Sequence, residues 1–121
     1  MAVTVYGITN CTTVQKARAW LDAEGVAYAF HDYKKSGAPL PLLAGWAGKL
    51  GWEKLVNRSG LTWRRLPEAE RAGLDEARAL ALMNAHPSLI RRPILDRDGD
   101  LLVGFRPDDY AAALAGAPGR P

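Results

Sequence analysis

Apolar and polar positions along this chain alternate, then recur at helical spacing, then alternate again. Val3 and Val5 with their neighbours form a short β-branched and aromatic run, which predicts a strand broken by Gly7 and Asn10. Val14, Ala17 and Leu21 follow at helical intervals and predict a helix with one buried face. Thr12 with Gln15 fits the Ser/Thr-x-x-Glu/Gln capping box, which starts that helix near Thr13, and Gly25 stands where a C′ glycine would end it. Val26, Tyr28 and Phe30 alternate, predicting a second strand over residues 26–33. Strand, helix and strand of these lengths make a βαβ unit, with parallel strands and a right-handed crossover.

The middle of the chain changes rhythm. Residues 34–41 read as a loop because Gly37, Pro39 and Pro41 break them. Leu43, Trp46, Ala47 and Leu50 form one apolar face, predicting a helix over 42–50 ended by Gly51. Residues 52–66 show no sustained period and read as irregular, with Leu55, Val56, Leu61, Trp63 and Leu66 supplying core contacts. Pro67, Glu68 and Glu70 look like a helix start. Residues 75–85 predict a helix capped by Asp75, with Ala79, Leu82 and Met83 on one side and Pro87 beyond its end. Two apolar runs, 90–96 and 101–105, flank Asp98-Gly99, a hairpin signal. A last helix runs from about Pro107 to Leu114, and residues 115–121 offer nothing to pack.

Composition narrows the class. A chain of 121 residues that is 48% hydrophobic suits one domain with a real core, and 24% charged residues argue against wholesale disorder. The net charge of +3 fits small anionic ligands and does not itself indicate nucleic acid, and no basic stripe interleaves the four tryptophans, Trp20, Trp46, Trp52 and Trp63. They are read as core and insert packing. No apolar run approaches the roughly 20 residues a membrane span needs, and no secretory signal pattern opens the chain, so a cytoplasmic location is expected. One cysteine and two histidines lack metal-ligand spacing, and no metal is expected.

The single cysteine carries the candidate chemistry. Cys11 falls in the turn just before the first helix, where unpaired N–H groups and the helix dipole favour a thiolate. A lone cysteine elsewhere is commonly an inert small hydrophobe, so position is what separates the two readings. His31 lies in the second strand, where a half-exposed residue is the commoner explanation than a catalytic one. Lys16 lies within two turns of Cys11, and its ordinary role is solvation.

The segments Gly7-Ile8-Thr9-Asn10-Cys11, Lys16-Ala17-Arg18, His31-Asp32-Tyr33, Asn57-Arg58, His86-Pro87, Ile90-Arg91-Arg92-Pro93 and Gly104-Phe105-Arg106-Pro107 together carry a resemblance. In this order they resemble the arsenate-reductase-like family of the thioredoxin superfamily, the ArsC/Spx/YffB group, with the YffB-type subgroup nearest. The resemblance implies an α/β thioredoxin-like fold with a four-stranded mixed sheet in the order β-α-β, inserted helical block, β-β-α. It implies a single domain over residues 1–116, with the insert at about 39–86 and residues 117–121 as a mobile tail. It also implies a cis Arg92-Pro93 bond facing the cysteine loop.

Carried over residue by residue, Cys11 matches the family's nucleophile, and Arg92 and Arg106 match two oxyanion-binding arginines. The third falls near Asn57-Arg58, and an ungapped register puts Asn57 on it, which removes a fork-shaped cationic partner. Asn10 and Thr12, beside the cysteine, complete the candidate anion-binding set, and Pro93 is its structural proline. Without the resemblance, Arg92 and Arg106 would read as solvated surface residues. Arg91 should point away from Arg92 if this stretch is strand.

The implied activity is a glutathione-dependent thiol reductase, with glutathione as co-substrate, no tightly bound cofactor, and glutathione or glutaredoxin resolving a Cys11 adduct. The lack of a second cysteine requires an external thiol. Two alternatives stand beside it: an Spx-like regulator binding the RNA polymerase α subunit, and an arsenate reductase. Cys11-Thr12-Thr13-Val14 excludes a Cys-x-x-Cys switch. A monomer is expected, with no direct nucleic-acid or membrane partner.

Overall fold

A computed structural model describes residues 2–115. The tail expected over 117–121 lies outside the described residues. The chain forms two compact units, one built from the chain up to Asp32 and again from Arg92 onward, the other from Tyr33–Arg91.

The first unit holds a four-stranded sheet in the order β2-β1-β3-β4, made by β1 (Val3–Gly7), β2 (Ala29–Asp32), β3 (Ile94–Arg97) and β4 (Asp100–Val103). β1 pairs parallel with β2 and antiparallel with β3, which pairs antiparallel with β4. Thus the βαβ unit and the C-terminal hairpin both form. The hairpin turns on Asp98 and Gly99, with φ of +51° and +94°, the left-handed pair that an Asp-Gly two-residue loop demands. The second strand is shorter than its alternating pattern: pairing begins only at Ala29, and Tyr33 already opens a helical turn.

Helices α1 (Thr12–Ala23) and α8 (Pro107–Ala113) contribute to the same core. Val3, Val5 and Leu95 from the sheet meet Ala17 and Leu21 from α1, and Tyr110 and Leu114 from the C-terminal segment. Tyr110 is enclosed edge-on by Trp20 and Phe105, with ring centroids 5.8 and 4.8 Å away. α1 ends in a full Schellman arrangement: Gly25 N–H donates to the Asp22 carbonyl and Val26 N–H to the Leu21 carbonyl, at 3.1 and 3.0 Å.

The second unit is helical: α2 (Tyr33–Ser36), α3 (Leu40–Leu50), α4 (Trp52–Leu55), α5 (Leu61–Arg65), α6 (Glu68–Arg71) and α7 (Glu76–Ala85), then a single 3₁₀ turn at Pro87–Leu89. α3 packs against α4 and α7. Two expectations are corrected here. Residues 34–41 are not wholly loop, because Pro39 caps α3 and Pro41 sits in its first turn, where a missing N–H costs nothing. Residues 52–66 are two short helices, and Leu61 is 53% exposed instead of core. Asp75 caps α7 as read, its carboxylate accepting from Arg78 N–H at 2.9 Å.

Candidate functional site

The loop between β1 and α1 owes its shape to a close approach. A Cβ on Gly7 would lie 2.7 Å from Val14 Cγ2, so glycine is what lets the first turn of α1 sit down on the end of β1. The loop then has only Ile8, Thr9 and Asn10 before the helix, of which Ile8 is buried and the others exposed. Cys11 is the N-cap itself, with extended backbone (φ −114°, ψ 123°), and its carbonyl accepts from Gln15 N–H at 2.9 Å. The helix therefore starts one residue before its predicted start, and Thr12 is its first residue, not its cap. The capping-box reading fails for the same reason: Gln15 reaches past Thr12 and its amide donates to the Thr9 carbonyl at 2.9 Å. That bond ties the loop to the helix six residues on. The Thr/Gln spacing held the signal, but assigned it to the wrong acceptor.

Cys11 is partly exposed. Its side chain makes no capping hydrogen bond, so the first-turn amides of α1 lack the side-chain acceptor that Ser or Asp would supply at this position. An ionised sulfur, or an anion brought to it, meets those amides and the positive end of the helix dipole.

Strand register decides what shares this end of the sheet. Tyr6 of β1 pairs with Ile94 of β3, so the residues just before Ile94 run alongside the exit of β1 toward the cysteine loop. Those residues are Arg92 and Pro93, and the bond between them is cis, as the resemblance implies. Ile94 in turn pairs with Val103 of β4, and Gly104 N–H donates to the Pro93 carbonyl at 2.8 Å. Arg106 follows two residues later as the N-cap of α8. Hence Cys11, Arg92 and Arg106, remote in sequence, all emerge at one end of one sheet. Arg92 is half-buried and Arg106 exposed, and Arg91 is exposed. Asn10 and Thr12 flank the sulfur and are exposed.

Asn57 and Arg58 belong to the other unit, and each has a local task. The Asn57 side-chain carbonyl accepts from Ser59 N–H and Ser59 Oγ at 3.1 and 2.9 Å, an Asx turn. The Arg58 guanidinium lies between two rings, 5.4 Å from Trp52 and 5.7 Å from Trp63. The Asn57 turn is local to residues 57–59, whereas the Arg58 contacts depend on how α4 and α5 fold back on the segment between them. His31 sits in β2 beside Tyr6, ring centroids 4.9 Å apart. Burial, with Asp96 nearby, raises the Tyr6 phenol above its ordinary value.

A family model described as the ArsC family matches residues 6–113. The chain belongs to the ArsC family. Among solved structures, a YffB protein is 53% identical, with a TM-score of 0.91, over 94% of this chain and 100% of its own. An uncharacterized protein of Haemophilus influenzae is 42% identical over 93% of this chain and 99% of its own. The global transcriptional regulator Spx of Streptococcus mutans is 28% identical, over 93% and 82%. This ArsC-family chain thus shares an arsenate-reductase-like and Spx-like thiol-redox fold, and no helix among its described residues is long and apolar enough to cross a membrane.

Proposed function

We propose that the protein is a glutathione-dependent thiol reductase with Cys11 as nucleophile. The observation that carries this reading is the position of a partly exposed cysteine at the N-cap of α1, at the sheet end where Arg92 and Arg106 also emerge. The Cys11 thiolate attacks one sulfur of a mixed disulfide, forms a new S–S bond and expels the other sulfur as a thiolate. A glutathione thiolate then attacks the Cys11 adduct, restoring Cys11 and leaving with the second sulfur as a disulfide. Each cycle consumes one disulfide and one glutathione thiolate and releases one thiolate and one glutathione-containing disulfide, so the protein needs no second cysteine. Arg92 and Arg106 would hold a carboxylate or other anionic group of the substrate, and Asn10 and Thr12 would line its approach. A cytoplasmic location, where glutathione keeps thiols reduced, suits this cycle.

The test compares wild type with Cys11→Ser in glutathione-dependent reduction of a mixed disulfide. Loss of turnover by on the order of 100-fold or more in the variant is expected. Equal rates at background level for both proteins would overturn the reading.

A second reading is favoured by the likeness to global transcriptional regulators named Spx: a regulator, which we propose would bind the RNA polymerase α subunit. Cys11 is followed by Thr12, Thr13 and Val14, so it would bind without the two-cysteine switch. Failure of the purified protein to bind that subunit at micromolar concentration argues against it. Arsenate reduction is disfavoured, because Asn57 is uncharged and spent in its own turn while Arg58 is stacked between tryptophans.

A further inference from the structure

Beyond the cysteine loop, the first unit carries a second feature. Arg18, Asp22, Val26, Ala27, Tyr28 and Phe30 line an open pocket of about 470 Å³ between α1 and the segment leading into β2. Arg18 and Asp22 are four residues apart on α1 and share a face of it.

Arg18 is held in place from two sides. Its guanidinium carbon lies 4.0 Å from the centroid of Phe30 and 5.9 Å from that of Tyr28. Its Nε–H donates to the Tyr28 hydroxyl at 3.1 Å. The stacking and the hydrogen bond have already removed much of the side chain's freedom, which lowers the entropic cost of binding through it. Among the described residues, nothing is bonded to its two terminal nitrogens. Asp22 lines the same pocket without closing an ion pair on Arg18.

A planar cationic fork and a carboxylate therefore face one space without neutralising each other. A phosphate or dicarboxylate on the fork would meet repulsion from Asp22. A ligand carrying a carboxylate and an ammonium on one carbon satisfies both groups. We propose that this pocket binds an α-amino-acid head group, its carboxylate on Arg18, its ammonium toward Asp22, and its aliphatic part along Val26 and Phe30. A free amino acid and the γ-glutamyl end of glutathione share that chemistry. The site stands or falls separately from Cys11, which lies about 16 Å from Asp22 along the helix at 1.5 Å per residue.

The experiment is an NMR titration of the Cys11→Ser protein, so that no redox step intervenes. It follows the Arg18 side-chain N–H and the backbone amides of Ala27 and Tyr28. The probes are L-glutamate, glutathione, and glutarate, which lacks the ammonium. Saturable shifts with L-glutamate, or with glutathione alone, at a dissociation constant of about 1 mM or tighter are expected, and which of the two binds identifies the source. Glutarate should bind at least about fivefold more weakly, and Asp22→Asn, an exposed position that leaves folding intact, should erase that preference. Arg18→Lys, which keeps charge but loses the fork, should weaken binding about tenfold. The absence of saturable shifts with both amino-acid probes, or an unchanged glutamate preference in Asp22→Asn, would overturn the proposal. Neither outcome bears on turnover by Cys11.

Discussion

The two units hold themselves together by different means. In the sheet unit, strands of four or five residues are joined by ladder pairing and, with α1, by one apolar cluster in which Val5, Leu21, Leu95, Tyr110 and Leu114 are fully buried. In the helical unit, α2, α4, α5 and α6 are four or five residues long, too short to persist on propensity alone. Side chains do there what a ladder does in the sheet. Arg78 donates to the carbonyls of Ala72, Gly73, Ala69 and Glu70, at 2.7, 3.1, 3.0 and 3.4 Å, and so satisfies the loose end of α6. Arg58 joins Trp52 to Trp63, and Asn84 donates to the Ala38 carbonyl at 2.8 Å. Charge divides the same way. Residues 33–91 carry ten Lys and Arg against five Asp and Glu, while the rest carries six against eight. The comparison teaches that in the unit of short helices Arg58 and Arg78 act as struts, whereas in the sheet unit strand pairing and the apolar cluster carry that task.

The largest way to test that contrast is to remove a side chain from the sheet unit's core. Leu21 is fully buried, so Leu21→Ala should cost about 3 kcal/mol, seen as a lowered denaturant midpoint. Protection of the β1 and β3 amides against hydrogen exchange should fall with it. A loss below about 1 kcal/mol would mean the cluster is not the unit's main support.

A smaller effect is expected in the helical unit. Arg78→Met keeps the aliphatic stem and removes the donors, and should cost about 1 kcal/mol, since the site is exposed and water replaces some of the lost bonds. Exchange should quicken around residues 68–73 while β1 stays unchanged. Exchange rising equally throughout the chain would contradict a local strut.

The smallest effect is alkaline. Burial raises the Tyr110 phenol, so the folded protein keeps a proton that the unfolded chain releases above about pH 10. The stability this contributes is complete well below pH 10 and is lost as pH rises beyond it, by roughly 0.8 kcal/mol at about pH 10.5. Tyr110→Phe gives up only a long 3.4 Å bond to the Gly104 carbonyl and should remove that part of the loss. Identical alkaline unfolding of wild type and variant would show that Tyr110 does not contribute.

Local chemistry was enough for part of this protein. The βαβ opening, the end of α1 at Gly25, the Asp75 cap, the Asp98-Gly99 turn and the proline start of α8 are each set by residues within a few positions of one another. The cysteine's place before a helix was legible for the same reason. Segments of four or five residues offer no period to read, so 52–66 looked irregular and Leu61 looked like core. Only the fold decided that Gln15 bonds to Thr9, that Arg58 stacks between Trp52 and Trp63, and that Arg18 lies on Phe30. Only strand register brings Arg92 and Arg106 to the end of the sheet from which Cys11 emerges. Short-range steric and hydrogen-bonding preferences act on neighbours and can be read along a chain, whereas a partner across a sheet is chosen by pairing and packing that no local stretch contains.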